Sequence, residues 1–360
     1  MSHPLAVRRF IPITENGWLL PRIFPSINTK GGFVMKKTFF YLFCALFILS
    51  SFLWVQNVNA AFPEKRIIII LPAPPGGGYD AYAKALVPHL QKHLPNKVNI
   101  IIKHMPGAGM ARAGTAVYKA KPDGYTIGYF SIPGMIIKQK MEKMTYDLKK
   151  ITWLGRNDVG PWVLAAAKDA PFNTIAEMQK SKTPIRFASE SVGTSDFIMC
   201  TLVPRLMKIP YRPITAYKGS SECVVALMRG DGDVTIFPLS TMHPYFSSGD
   251  LKPIMVMTAE RSPLIPDTQT ATEVGYPEFV DLALNRLIGG PPGLPQDRVK
   301  ILEEAIIKAE NEPELKKWSE KTKRYYSPLS AQKTTEFVNT LFGRMDDYVK
   351  IIDAAIKEQQ

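Results

Sequence analysis

The chain has 360 residues, 46% of them hydrophobic and 21% charged, with 45 Lys+Arg against 32 Asp+Glu for a formal net charge of +13. That apolar fraction supplies cores for one large domain or two ordinary ones and excludes a fibrous, disordered or multi-span membrane protein. The basic residues are scattered, without the clusters and interleaved aromatics of a nucleic-acid surface, so no nucleic acid is expected as a partner.

In chain order, the first feature is the apolar run Phe39 to Val55, preceded by Lys36 and Lys37 and followed by a polar stretch ending Val58-Asn59-Ala60-Ala61. A positive flank, an apolar core and small residues before a cut make an export signal, cleaved ahead of Ala61. Met35 is the expected true start, and residues 1–60 are a leader and signal peptide outside the fold. Those residues hold six Lys+Arg and one Glu, which leaves a net +8 on the exported part. The expected location is the periplasm.

From Arg66 onward short apolar runs alternate with longer amphipathic segments, the pattern of an α/β protein with mainly parallel sheets. Strands are expected at Ile67 to Leu71, Val98 to Ile102, Tyr125 to Phe130, Ile151 to Leu154, Trp162 to Ala167, Ile185 to Ala188, Val234 to Phe237, Ile254 to Met257 and Arg286 to Ile288. Helices are expected over Asp80 to Leu94, with a kink at Pro88, then Asp196 to Met207, Ser221 to Arg229, Gln296 to Glu310 and Thr334 to Glu358. No low-complexity linker divides the chain, so two domains would be joined by strands, which points to a hinge.

The turn between the first strand and first helix reads Pro72-Ala73-Pro74-Pro75-Gly76-Gly77-Gly78-Tyr79-Asp80. Three glycines remove every Cβ, so backbone N–H groups and the helix N-terminus can close on an anion. Gly76, Gly78 and Ala81 also satisfy the dinucleotide fingerprint, but the next strand lacks the ribose-binding acid, so a secreted Rossmann-like oxidoreductase is the alternative. A second turn of the same kind, Ser189 to Asp196, brings Ser189, Ser191, Gly193, Thr194 and Ser195 to a helix N-terminus. The serines do not form a hydrolase elbow, and no catalytic His–acid arrangement appears, so no catalysis is expected. His89 and His93 share one helix face at i, i+4, a metal-compatible spacing, but with no third ligand nearby in sequence they read as a solvated face, and no metal or cofactor is expected. Cys200 and Cys223 are either a disulfide or two buried thiols.

The chain resembles the extracytoplasmic solute receptors of the tripartite tricarboxylate transporter family. The resemblance rests on the Pro-Pro-Gly-Gly-Gly turn with Asp80, Met105-Pro106-Gly107-Ala108-Gly109, Pro122-Asp123-Gly124-Tyr125-Thr126, Gly193-Thr194-Ser195, Tyr217-Lys218-Gly219-Ser220, Arg261-Ser262-Pro263 and Pro291-Pro292-Gly293-Leu294-Pro295, in that order. It implies a type II periplasmic-binding-protein fold: one α/β domain from 61–160 plus 285–360, a second from 161–284, and a strand hinge between them. It also implies a monomer that closes on a small organic acid, gripped by the glycine turn and the Gly193 loop, and delivers it to the membrane subunits of a tripartite transporter. Lys218 then looks like a surface or interdomain residue. Two departures from the family pattern bear on the ligand: Phe237 precedes a position where relatives carry an acid, and Asn285-Arg286 replaces an aromatic pair. Both favour a carboxylate over an ammonium group and put Phe237 and Arg286, with Ser131, among the expected contacts.

Overall fold

The computed structural model describes residues 62–357 apart from 216 and 325, so the export signal lies outside the described residues. The fold is type II periplasmic-binding-protein-like, with two α/β domains built on separate sheets. The first sheet contains β1 (Ile67–Leu71), β2 (Ile100–His104), β3 (Thr126–Ile132), β4 (Thr152–Gly160) and β11 (Leu284–Gly290), ordered β2-β1-β3-β11-β4. The second contains β5 (Trp162–Ala167), β6 (Ile185–Ala188), β7 (Tyr211–Ile214), β8 (Val234–Pro238), β9 (Leu251–Val256) and β10 (Gln269–Thr270), ordered β10-β9-β5-β8-β6-β7.

Eleven α-helices are described: α1 (Gly78–His93), α2 (Ala111–Tyr118), α3 (Gly134–Met141), α4 (Ile175–Gln179), α5 (Ser195–Leu206), α6 (Ser220–Met228), α7 (Leu239–Ser247), α8 (Gln296–Glu310), α9 (Pro313–Thr322), α10 (Ala331–Arg344) and α11 (Asp346–Lys357). They cover the sheet faces, so a central strand such as β1 buries both sides and can be almost entirely isoleucine. α1 runs on through Pro88.

The chain passes between the sheets at Pro161, the single residue separating β4 from β5, and returns at β11. These crossings explain why the sheets are mixed rather than mainly parallel. β11 lies antiparallel to β3 and β4, and β5 lies antiparallel to β8 and β9, because a strand arriving from the other sheet enters in the opposite sense. Two strands are additional to those read from the sequence. β7 contains Pro213, which breaks a strand pattern but is tolerated on an edge, and β10 is only two residues long. The C-terminal segment expected as one helix is two, broken at the fully buried Met345; Asp346 and Asp347 then sit in the first turn of α11, where the helix dipole favours them. α11 packs on α3 of the first domain and α5 of the second. Cys200 and Cys223 are unbridged buried thiols, which settles the alternative left open by their spacing. None of the described helices is long and apolar enough to cross a membrane.

Candidate functional site

A cavity of about 310 Å³ lies between the two domains. Its walls come from the carboxyl ends of strands, where the loops of an open α/β sheet leave a crevice. β1 leads into Ala73 to Tyr79, β3 contributes Ser131, β6 leads to Glu190, and β8 ends in Phe237 and Pro238. The crossings contribute Trp162, Leu284 and Arg286.

The glycine turn reaches the cavity through Pro75, Gly77, Gly78 and Tyr79. Gly77 is the N-cap of α1 and no side chain caps it, so the first-turn N–H groups of a sixteen-residue helix face the cavity. Gly76 has a left-handed φ of +86°, which shapes the turn, but it is not on the wall. Asp80 is also behind the wall. Its carboxylate accepts the Gly76 N–H at 2.9 Å, pairs with Lys84 at 2.7 Å and lies 3.1 Å from His104 Nε2. Although burial opposes the charge, these partners hold the Asp80 carboxyl below its ordinary range. Asp80 therefore braces the turn from within.

Arg286 is 2% exposed and lines the cavity floor. Its Nη1 donates to both carboxylate oxygens of Asp158, at 2.7 and 2.8 Å, and its guanidinium sits over the Tyr79 and Tyr82 rings at 5.1 and 4.9 Å from their centroids. Nη2 lies 2.9 Å from where a Cβ on Gly78 would stand, so only glycine lets the guanidinium approach the helix N-terminus. The alternation of strand side chains leaves the direction of Arg286 open, and the fold turns it towards the cleft. Its charge, however, is already matched by a buried acid two places before Gly160, a partner that the sequence separates by 128 residues.

The second turn behaves differently from the first. Ser195 lines the cavity, and its Oγ lies 2.7 Å from Ser131 Oγ, a hydrogen bond between the domains. Gly134 permits this approach, because a Cβ there would stand 2.8 Å from Ser195 Cβ. Ser189, Ser191, Gly193 and Thr194 are not on the wall. Ser189 is fully buried, with its N–H donating to the Ile214 carbonyl at 2.9 Å, and Thr194 Oγ1 donates back to the Ser191 carbonyl at 2.8 Å. Gly193 instead meets the first domain: a Cβ there would lie 2.8 Å from Lys138 Nζ, and one on Gly109 would lie 2.8 Å from the Gly193 carbonyl carbon.

What this turn does bring to the wall is acidic: Glu190 and Asp196. Asp196 is 3% exposed and its Oδ2 accepts the Glu190 N–H at 2.7 Å. Burial pushes the Asp196 carboxyl up to about 6, against the hydrogen bonds it receives. Burial and the neighbouring Asp196 charge likewise push Glu190 well above the usual carboxylate range, although the Ser220 N–H bonds to it. The uncapped start of α6 also lines the cavity, with Lys218 on its exposed rim and Ser220, Ser221 and Glu222 beside it. Lys218 thus belongs to the mouth of the cleft, an exposed position between the domains. A glycine N-cap followed by two serines and an acid was the signal available for this third helix N-terminus.

Compared with known protein families, residues 83–354 match the tripartite tricarboxylate transporter family receptor. The chain belongs to that family. Among curated relatives, it is 27% identical to Protein BugT of Bordetella pertussis over 256 residues, which cover 68% of this chain and 77% of BugT. The fold is also that of MatC from Rhodopseudomonas palustris with bound malate, with a TM-score of 0.72, 23% identity, and 80% of this receptor and all of MatC covered. A second R. palustris protein, solved with adipate, has a TM-score of 0.73 and 21% identity, with 81% and 98% covered.

Proposed function

We propose that this receptor binds a small organic acid in the cleft, in the periplasm, and presents it to the membrane subunits of a tripartite transporter without chemical change. The observation that carries the reading is the cavity itself. At about 310 Å³ it suits a small acid, and the open N-terminus of α1 meets Arg286 on one wall while α6 starts on the other. One carboxylate is assigned to the N–H groups of Gly77, Gly78 and Tyr79, beside the guanidinium edge not used by Asp158. The opposite end of the ligand faces Glu190, whose carboxyl burial and the Asp196 charge push towards the protonated form, the form that donates a hydrogen bond to a second oxygen. Malate and adipate, bound by two R. palustris proteins of this fold, each carry acid groups at both ends.

Ser131 and Ser195 close the cleft from opposite domains, and Phe237 supplies an apolar wall. Release requires the domains to part at the strand crossings around Pro161 and Ala283, a hinge motion. A thermal-shift screen of organic acids, malate and adipate included, tests the proposal against the dinucleotide alternative. A melting temperature that rises with one of the acids and stays level with nicotinamide dinucleotides is the expected result. The reverse pattern overturns the proposal.

A further inference from the structure

We propose that His89, Glu312 and Glu314 form a binding site for one divalent transition-metal ion of the zinc class, tying the end of α1 to the start of α9, with His93 hydrogen-bonded to Glu312 beside them. In sequence the two histidines are an isolated pair at i, i+4. The fold supplies the missing ligands from more than two hundred residues away. α8 ends at Glu310, and Pro313 opens α9 immediately afterwards, so the chain turns sharply at 311–312 and delivers Glu312 as the N-cap and Glu314 to the first turn. This corner packs against the last turns of α1.

One ligand atom each from His89, Glu312 and Glu314 lies within 4.8 Å of the other two, and His93 Nε2 is 2.5 Å from Glu312 Oε1. Glu312 is 8% exposed, so one carboxylate is held in place while His89 and Glu314, half-buried and exposed, can close the last ångström onto an ion. One imidazole and two carboxylates make a nitrogen and oxygen set of the kind zinc takes, with ligands at roughly 2.0–2.2 Å and a fourth position open to water. Calcium and magnesium favour six or more oxygens and are poorly served by imidazole.

Without the metal, the ammonium of Lys92 stands 2.9 and 3.0 Å from the Glu312 oxygens and fills the role of the cation. Its side chain is 60% exposed on a flexible stem, so it swings into solvent when a dication arrives. The helix dipole accounts for acids at the start of α9 but not for an imidazole of α1 converging on two of them. The site lies at the far end of α1 from the glycine turn, and metal and organic acid should bind independently of each other.

The test uses the purified receptor without a histidine tag, stripped with chelator and titrated calorimetrically with zinc chloride, with magnesium and calcium chlorides in parallel. One equivalent of zinc per chain, a raised melting temperature and no response to magnesium or calcium are expected. His89→Ala and Glu314→Gln change side chains that are not buried, so folding should be retained while zinc affinity falls by about 10- to 100-fold. Lys92→Ala removes the competitor and should tighten zinc binding, whereas weaker binding would count against the site. Absence of a stoichiometric zinc isotherm, or an unchanged isotherm in the His89→Ala, His93→Ala double variant, overturns the proposal.

Discussion

Arg286→Ala should destabilise the receptor severely even with no ligand present. The substitution deletes two hydrogen bonds, at 2.7 and 2.8 Å, and leaves Asp158 as a buried carboxylate at 1% exposure without its guanidinium. Breaking a buried pair by removing one partner costs about 3–5 kcal/mol, because the remaining charge has lost both its counter-charge and its water. Lost contacts with the Tyr79 and Tyr82 rings act in the same direction. Against a total stability of roughly 5–15 kcal/mol, that loss is large enough to shift a urea unfolding midpoint unmistakably. Replacing both partners with apolar residues, Arg286→Met with Asp158→Leu, removes the orphaned charge and should recover most of the stability. Under conditions where the single variant remains folded, affinity for the organic acid should also fall by about 10- to 100-fold, the value of one charge-assisted hydrogen bond. An unchanged urea midpoint for Arg286→Ala would refute the ion-pair reasoning. Wild-type affinity in the double variant would show that Arg286 supports the cleft without touching the ligand.

Three further outcomes follow from the same geometry. Gly78→Ala places a Cβ 2.9 Å from Arg286 Nη2 and 3.3 Å from Thr241 Oγ1; because Asp158 locks the guanidinium, the expected cost is about 1–3 kcal/mol, seen by calorimetry as weakened acid binding in a folded protein. Affinity for an organic acid should fall on both sides of an optimum: in acid, as the ligand carboxylate is protonated near pH 4, and on raising the pH through the elevated values of Glu190 and Asp196, the latter about 6, when a donor becomes a second negative charge facing the ligand. Glu190→Gln keeps a donor at every pH and should remove the part of the alkaline limb that belongs to Glu190; a wild-type affinity that does not fall as the pH is raised through about 6 and beyond contradicts this. Gly134→Ala puts a Cβ 2.8 Å from Ser195 Cβ and 3.0 Å from its Cα, so it should lower thermal stability by about 1–3 kcal/mol and loosen the Ser131–Ser195 contact between domains.

Features governed by local periodicity and turn chemistry are legible in the residues alone. The runs Ile67 to Leu71, Trp162 to Ala167 and Ile185 to Ala188 are strands over those residues because β-branched and apolar side chains there are buried on both faces. The glycine turn and the helix after it were legible for the same reason, since Gly76 needs a left-handed φ and Gly78 a side chain small enough for close approach. Weak or edge elements were not: Pro213 disguises β7, and the 331–357 segment keeps an apolar helical period straight through the break at Met345.

The electrostatics of the site depend on contacts between elements far apart in the chain. Phe237 marks the loss of an acid in the sequence, yet the fold places Glu190 and Asp196 on the cavity wall, so the cleft contains carboxyl groups from another loop. Arg286 stands out in the sequence as a carboxylate contact, and the fold gives it Asp158 as a buried counter-charge. His89 has no acid beside it in sequence, and the α8–α9 corner brings Glu312 and Glu314 to it. In each instance the partner comes from a different element, through loop closure and sheet crossing, and side-chain charge carries no periodic signal along the chain that would reveal where it ends up.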